Sequence, residues 1–350
     1  AVPGSIDVNI MTKLFLPRYW EGKKLPVEFN DAMTALRGYA ESTLSSFIVF
    51  SAGINPHLYG YIMQFKDFFP DKAGRLKKKI ALKVSDYRSA LIQGKFLAKR
   101  GLWVSEYRVE SGLNCGGHAF PTKGQLIGPI LREFRDKRDE LLSTLRADYT
   151  KACAARDITP PDGLFETKIT VQGGIGTAGE NKFLRQYYDV DRTGWGTPFL
   201  LAPDVVNMDD EHLDKLCRAT TEDIHLSDSS PMGVPYWNLR NSASEEMRRR
   251  YIREGTPGSP CPKRYIALNT EFTDIPICTA GRNYQKRKLQ FLQSNGYSPD
   301  RLSLLQKKVQ EKSCICHDLG GTASLINGID PDATPSVCCG INIAYFTRAT

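Results

Sequence analysis

The sequence lacks the features that mark membrane, secreted and nucleic-acid-binding proteins. No apolar run approaches the length of a membrane-spanning helix, and no secretory signal stands at the start. The formal net charge is +8, but the basic residues are spread along the chain, and no aromatic–basic RNA-binding signature accompanies them. We therefore expect a cytoplasmic protein that binds a small-molecule substrate, with neither a nucleic acid nor a membrane as its partner. A homodimer is left open.

A regular disulfide framework is also missing. The nine cysteines are an odd number at irregular spacings, which favours reduced thiols in a cytosol. Six of the nine lie in about the last ninety residues, where Cys314-Ile-Cys-His317 and Cys338-Cys339 could supply ligand pairs to zinc or an iron–sulfur cluster. The spacings match no standard metal motif, so buried thiols are the alternative. If a metal is bound, the expected ligands are Cys261, Cys278, Cys314 and Cys338.

No G-x-G-x-x-G follows the first apolar run, which weakens a dinucleotide-binding fold. Short, nearly continuous apolar runs, typical of strands buried on both faces, alternate with amphipathic stretches instead. The predicted strands cover residues 6–11, 47–51, 80–84, 103–107, 168–171 and 195–201. The predicted helices cover residues 31–43, 56–68, 86–99, 125–155 and 180–188. Repeated strand–helix units predict parallel strands, so we expect an α/β fold of the (β/α) barrel type, with a doubly wound open sheet as the alternative.

One loop combines glycines with a histidine at a predicted strand end. Gly116 and Gly117 permit a positive φ or a close approach to a flat ligand, and His118 can move a proton near neutral pH. The spacing alone suits a turn with a surface histidine equally well.

Two further glycine loops occur: residues 170–177 leave a predicted strand and enter a helix, and residues 193–198 come about one strand–helix unit later. Backbone N–H groups at such turns, together with the start of the helix after the first loop, suit a phosphate group. Two tight turns are the alternative, but a pair of such loops in adjacent final strands favours a phosphate site.

These motifs, taken in order over roughly residues 4–241, resemble the nitronate monooxygenase family of FMN-dependent TIM barrels, the 2-nitropropane dioxygenase-like proteins. The matching stretches are Asp7-Val-Asn9, Leu82-Lys83-Val, Gly112-Leu-Asn-Cys-Gly-Gly-His118, Gln172-Gly-Gly-Ile175 and Gly194-Trp-Gly-Thr197. The resemblance implies FMN as cofactor and His118 as catalytic base. It implies cofactor contacts from Asn9, Lys83, Gly116, Gly117, Gln172, Gly173, Gly174, Gly196 and Thr197. Ser111, Asn114 and Cys115 depart from the family's usual residues, which leaves the substrate pocket open.

The resemblance also predicts the domain organisation. We expect residues 1–241 to form a partial FMN-binding (β/α)8 barrel that lacks its first two strands, and residues 242–350 to form a mostly helical, cysteine-rich extension.

A lysine within the apolar run 80–84 is costly unless it is paired, and a cation there would suit the pyrimidine edge of a reduced flavin. A water-facing Lys83 and a strand-capping Asn9 are the structural alternatives.

The expected activity is that of a flavin-dependent oxidoreductase of the monooxygenase type. It would oxidise a nitronate or a related carbon acid with oxygen, with His118 removing the proton. One alternative is an FMN-dependent enoyl-thioester (enoyl-acyl-carrier-protein) reductase, which uses a similar barrel and a similar glycine–histidine loop. The other is a non-catalytic, metal-binding barrel that interacts through its cysteines.

Overall fold

A computed structural model describes most of the chain. The described residues are 4–12, 15, 17–51, 53–110, 127–156, 158, 166–196, 199–200, 202, 206–231, 233, 236–261 and 266–337. Within them, the strands are β1 (Val8–Met11), β2 (Tyr19–Trp20), β3 (Lys23–Lys24), β4 (Phe47–Ser51), β5 (Lys79–Val84), β6 (Val104–Val109), β7 (Lys168–Gln172), β8 (Arg192–Gly194), β9 (Ile224–Ser227) and β10 (Tyr236–Leu239).

Five helices begin after a residue whose side chain accepts a hydrogen bond from the first turn. The described residues form twelve α-helices in all. They are α1 (Asp31–Glu41), α2 (Pro56–Tyr61), α3 (Tyr87–Ala98), α4 (Ile127–Asp136), α5 (Arg138–Ala154), α6 (Ala178–Tyr187), α7 (Asp210–Arg218), α8 (Ala243–Arg253), α9 (Arg282–Ser294), α10 (Pro299–Gln310), α11 (Ile315–Asp318) and α12 (Gly321–Ile326). Asn30, Asn55 and Asp86 each accept a hydrogen bond from a backbone N–H in the first turn of their helices. Such caps satisfy donors that the helix itself leaves unpaired.

Six strands form one parallel sheet in the order β1-β4-β5-β6-β7-β8, which confirms the predicted α/β class. Each new strand of this sheet is added on the same side of the one before it. Because crossovers between parallel strands are right-handed, a constant direction of winding carries the connecting helices to one face. A doubly wound sheet reverses its strand order, and these six strands do not. Their arrangement is therefore compatible with a TIM-barrel-like fold.

The two faces of this sheet differ in polarity. Ile48, Phe50, Leu82, Tyr107 and Val171 alternate onto one face and join a large apolar cluster that includes residues of α1, α3, α4 and α5. The other face, called the polar face below, carries Val49 and Ala81 but is otherwise polar, with Asp7, Asn9, Ser51, Lys83, Glu106, Arg108, Glu110, Thr170 and Gln172. The central strands β4, β5, β6 and β7 are buried on both faces, as the sequence predicted, but one of these faces is mostly polar. A period of two along each strand separates the two sets of side chains.

On the polar face, an ion pair between Arg108 and Asp7 joins two strands that are not neighbours in the sheet. Arg108 Nη2 on β6 lies 3.0 Å from Asp7 Oδ2, which immediately precedes β1, and Arg108 Nε lies 2.9 Å from Glu106 Oε1. Three inter-strand steps separate β1 from β6, which is about 14 Å in a flat sheet. Side chains standing upright on such a sheet would not meet, so the sheet is curved, with its polar face on the concave side.

Three predicted elements were wrong in extent. The predicted helix over 56–68 is the short helix α2, followed by two 3-10 turns at Ile62–Gln64 and Lys66–Phe68. The last strand of the sheet ends at Gly194, before the predicted run 195–201 begins, because its partner β7 ends at Gln172 and leaves no further ladder positions. The single predicted helix over 125–155 is two helices, α4 and α5, separated by Lys137 with φ −116° and ψ 17°. Arg135 and Arg138, on either side of the break, donate to the backbone carbonyls of Tyr187 and Asp189.

A smaller apolar cluster lies outside the large one. Met208, Leu239 and Val337 form its buried part, with Leu213 and Ile224 packed against them. The backbone N–H of Leu239 also points to the carbonyl of Val337 at 3.4 Å. Residues of the β9–β10 ribbon thus pack against the C-terminal segment. None of the helices in the described part of the chain is both long and apolar enough to cross a membrane.

Candidate functional site

The predicted cofactor residues in the described part of the chain lie in or directly after the strands of the parallel sheet. Lys83 is near the end of β5, Gln172 ends β7, and Gly173 and Gly174 follow it. Gly196 follows β8, and Asn9 lies within β1. Because the strands are parallel, their carboxyl ends all lie at the same end of the sheet. Ligands bind at that end in such folds. His118, Gly116, Gly117, Thr197 and Cys338 lie outside the described residues.

Lys83 and Gln172 both contact the carboxylate of Glu110, which the sequence did not indicate as a site residue. Lys83 Nζ lies 3.0 Å from Glu110 Oε2, and Gln172 Nε2 donates to the same oxygen at 2.6 Å. The side chain of Glu110 is 6% exposed and that of Lys83 is 21% exposed. The backbone N–H of Glu110 also donates to the carbonyl of Val84 at 3.0 Å, which extends the pairing of β5 with β6 by one residue. Lys83 of β5, Gln172 of β7 and Glu110 directly after β6 therefore form a trio around one buried carboxylate.

This trio has a defined chemical capacity. Lys83 needs the partner that the sequence predicted, since an unpaired ammonium within a sheet is costly. An ammonium carries three donor hydrogens, and an amide carries two donor hydrogens and one acceptor oxygen, so Lys83 and Gln172 retain hydrogen-bonding capacity beyond Glu110. The trio could bind a planar ligand whose edge carries hydrogen-bond acceptors. Glu110 could have been found from the sequence as a carboxylate directly between a buried strand and the Gly-Gly-His loop.

Asn9 is not part of this trio. It lies on β1, two strands away from β5, and its side chain is exposed. Its Oδ1 accepts a hydrogen bond from Ser51 Oγ at 3.1 Å, and Ser51 O in turn accepts one from Thr12 Oγ1 at 2.9 Å. These contacts favour a role for Asn9 in joining the ends of β1 and β4, and its predicted contact with a cofactor stays a prediction.

The two glycine turns lie side by side at the ends of β7 and β8. Gly173 and Gly174 have φ values of 90° and 73°, which other residues adopt at a cost. A Cβ on Gly194 would lie 2.8 Å from the Cβ of Gln172, so a side chain there would displace Gln172. A Cβ on Gly196 would meet nothing within 4 Å. The predicted phosphate loops are therefore neighbours, and open space surrounds the Gly196 position.

The helix after the first glycine turn is already capped. Glu180 Oε2 accepts hydrogen bonds from the backbone N–H groups of Gly176 at 2.9 Å and Thr177 at 3.0 Å, and Thr177 Oγ1 accepts one from Glu180 N at 3.2 Å. This capping box places a carboxylate where the helix dipole would otherwise attract a phosphate. The predicted contribution of this helix start to a phosphate site is thereby reduced, and the glycine turns themselves must supply the donors.

The candidate metal ligands do not form a ready ion site. Among the described residues, no group of three or more His, Cys, Asp or Glu side chains is arranged to hold one metal ion. Cys261 and Cys278 do line one cleft in the C-terminal part of the chain, whose lining does not include Cys314. Cys338 cannot be placed with them.

Comparisons with known proteins give little guidance. No protein-family model and no curated protein matches this sequence. Among solved structures, the chain is similar to the enoyl reductase domain of MlnA from the macrolactin biosynthesis cluster of Bacillus amyloliquefaciens, with 15% identity and a TM-score of 0.44 over 84% of this chain and 67% of that one. A likeness this distant carries no conclusion about function, so the function has to be argued from the site itself.

Proposed function

We propose that this chain is an FMN-dependent oxidoreductase and that its sheet is the larger part of a (β/α)8 barrel. The observation that carries the proposal is the Lys83–Glu110–Gln172 trio beside the turns at Gly173–Gly174 and Gly194–Gly196. A cation and amide held by a buried carboxylate suit the polar edge of a flavin ring, and adjacent glycine turns suit its phosphate. The bound flavin would accept two electrons from one substrate and pass them to another.

The chain's own residues would have distinct tasks. Lys83 and Gln172 would donate to the ring edge while Glu110 keeps both side chains oriented. Gly173, Gly174 and Gly196, with Thr197, would hold the phosphate through N–H and hydroxyl groups, and Gly116 and Gly117 would leave room for the ring. His118, in the segment that follows Glu110, would remove the proton from a substrate carbon.

The proposed substrate is a nitronate or a related carbon acid, with oxygen as electron acceptor. This assignment comes from the resemblance of the ordered motifs to the nitronate monooxygenases. The activity that would replace it is reduction of an enoyl thioester by NAD(P)H.

An absorbance spectrum of the purified full-length protein, followed by FMN titration, tests the class. Lys83→Gln, which removes the charge and keeps a donor for Glu110, should weaken FMN binding by about tenfold, the effect of about 1.4 kcal/mol. Lys79→Gln on the same strand is the control, because Lys79 is exposed at the opposite end of β5. A protein that is colourless and binds no FMN would refute the proposal.

Anaerobic mixing then tests the substrate. A nitronate should bleach the flavin absorbance, and oxygen should restore it. Bleaching by NAD(P)H with recovery on an enoyl thioester, and no response to nitronate, would replace the monooxygenase assignment with the reductase.

A further inference from the structure

One histidine lies just after a strand, at the carboxyl end of the parallel sheet. His57 is the second residue of α2, and only residues 52–55 separate this helix from the end of β4. In barrel-type sheets, several strands contribute catalytic and binding residues at that end. The side chain of His57 is exposed, so its imidazole is accessible to a ligand.

The loop that leads to His57 leaves the sheet beside Lys83. Phe50 of β4 pairs with Leu82 of β5. The next residues of the two strands, Ser51 and Lys83, therefore stand at the same level, on strands about 4.8 Å apart. His57 thus follows the strand next to the one that carries the cation of the proposed site.

Hydrogen bonds join this loop to the segment after β1. Thr12 Oγ1 donates to Ser51 O at 2.9 Å, and Asn55 Nδ2 points to Thr12 O at 3.5 Å. Asn55 Oδ1 also accepts a hydrogen bond from Leu58 N at 3.0 Å, which caps the first turn of α2. These contacts fix the turn of helix in which His57 lies.

The ring of His57 is held by stacking, and its edge is left open. The centroid of the imidazole lies 5.9 Å from that of the Phe15 ring, and the angle between the two planes is 19°. Such stacking orients the imidazole through its face and leaves both nitrogens available. Within the described residues, no group is hydrogen-bonded to either ring nitrogen of His57.

The other histidines of the described part of the chain differ from His57 in this respect. Each has at least one ring nitrogen directed to a carboxylate or a backbone carbonyl: His212 to Asp209, His225 to Asn238, and His317 to Asp318 and Asp330. Contacts of this kind use the imidazole to hold the fold together. The N–H of His57 remains available for a ligand.

The two segments after β1 and β4 suit a small anion with an apolar body. Residues 11–20 and 51–66 contain no Asp or Glu, so neither segment repels an anion. A neutral imidazole has one N–H donor and a protonated one has two, so His57 can donate in either state. Met11 and Ile54, on the same segments, are 36% and 42% exposed. A ligand with charged oxygen atoms and a short alkyl group matches both features.

We propose that His57 binds the substrate by donating a hydrogen bond to an anionic oxygen, while Phe15 holds the imidazole in place. The ligand class is a small alkyl anion with two oxygen atoms on one planar end, as in a nitronate. This inference rests on the proposed function, because the same anion has to reach the flavin. His57 acts in binding, and proton transfer remains assigned to His118.

Steady-state kinetics with the anion of 2-nitropropane test this role. His57→Phe keeps a ring against Phe15 but has no donor, so KM should rise by about tenfold with little change in kcat. His57→Gln keeps an N–H donor and should raise KM less than His57→Phe does. His225→Gln is the matched control, because His225 lies in β9, outside the parallel sheet, and it should leave KM unchanged.

A binding measurement that needs no turnover accompanies the kinetics. Isobutyrate carries two anionic oxygens and the same alkyl group as the anion of 2-nitropropane. Saturating isobutyrate should shift the imidazole C–H resonance that is present in the proton magnetic resonance spectrum of the wild type and missing from that of His57→Gln.

An unshifted His57 resonance would overturn the inference, and so would an unchanged KM in His57→Phe. If the wild type does not oxidise the nitronate, the isobutyrate shift alone decides whether His57 binds an anion. FMN content, measured on the same samples, reports separately on the proposed function. It should be equal in the wild type and in His57→Phe, and a loss of FMN in this variant would mean that His57 supports the fold instead.

Discussion

Glu110 lies in a site with little exposure to solvent, and two hydrogen-bond donors replace its contacts with water. Its Oε2 is shared by Lys83 Nζ and Gln172 Nε2, and only 6% of the side chain is exposed. Breaking a buried pair costs more than making it contributes, because the remaining charge is left without compensation. The trio is therefore a sensitive place to test both the fold and the proposed site.

Replacing Glu110 with glutamine should destabilise the flavin-free protein by about 2–4 kcal/mol, a value reduced because Lys83 keeps some access to water. Urea unfolding monitored by circular dichroism measures this loss. Glu133→Gln is the control: Glu133 pairs with Lys137 at 2.7 Å, but both side chains are nearly half exposed, so the loss should stay below about 0.5 kcal/mol. Equal losses in the two variants would show that Glu110 is not held as described.

His225 gives a prediction on pH. Burial lowers the pKa of His225 below its ordinary value of 6.5, and its Nδ1 lies 3.2 Å from Asn238 O. The unfolded chain then binds the proton more readily than the folded chain, so the free energy of unfolding should fall as the pH drops through about 6.5. His225→Gln should make this decline shallower in unfolding experiments between about pH 7.5 and pH 5.5. An unchanged slope would contradict the prediction.

At the scale of the elements, α3 approaches the sheet closely through a glycine. A Cβ on Gly94 would lie 2.9 Å from Leu145 Cδ2 on α5 and would collide with the hydroxyl of Tyr107 on β6. A glycine inside a helix lowers its stability by about 1 kcal/mol relative to alanine. Here the close contact of helix and strand outweighs that cost.

Two identical substitutions in different helices should therefore have opposite effects. Gly94→Ala should lower the free energy of unfolding by about 1–3 kcal/mol through overpacking. Gly38→Ala in α1, where a Cβ meets nothing within 4 Å, should raise it by about 0.5–1 kcal/mol. Urea midpoints of both variants and the wild type decide the matter, and a stabilising Gly94→Ala would mean that α3 lies farther from β6.

At the scale of the whole molecule, the curved sheet is crossed by an ionic network. Arg108 binds Asp7 and Glu106, and Thr170 Oγ1 donates to Glu106 Oε1 at 2.7 Å. The side chain of Glu106 is 2% exposed. Arg108 therefore compensates a charge on the concave face and also joins the edge strand β1 to the middle of the sheet.

Arg108→Met should destabilise the protein by about 3–5 kcal/mol, because Glu106 is left buried without its cation. Adding Glu106→Gln should recover part of that loss, so the double variant should be more stable than the sum of the two single losses predicts. Chemical unfolding of the three variants measures the coupling. Strictly additive losses would mean that the two residues do not interact across the sheet.

Local sequence determined most of the strands and helices of this chain and the end of the parallel sheet where the predicted cofactor residues lie. The runs at 47–51 and 80–84, and the glycines after residue 172, follow from backbone preferences and side-chain periodicity, which act over a few residues. The parallel direction of the strands followed from the alternation of strands and helices. Lys83 was recognised as needing a partner, because a lone charge in an apolar strand is costly wherever the strand lies.

Only the tertiary structure decided that the partner of Lys83 is Glu110. The contact of Glu110 with Lys83, the concave network around Arg108 and the end of β8 at Gly194 all depend on strand order and sheet curvature. These contacts join residues that are far apart in the chain, so no local pattern encodes their distances. The alternation of side chains in the sequence separates two faces, but the winding of the chain decides which face is covered by helices and which encloses the charges.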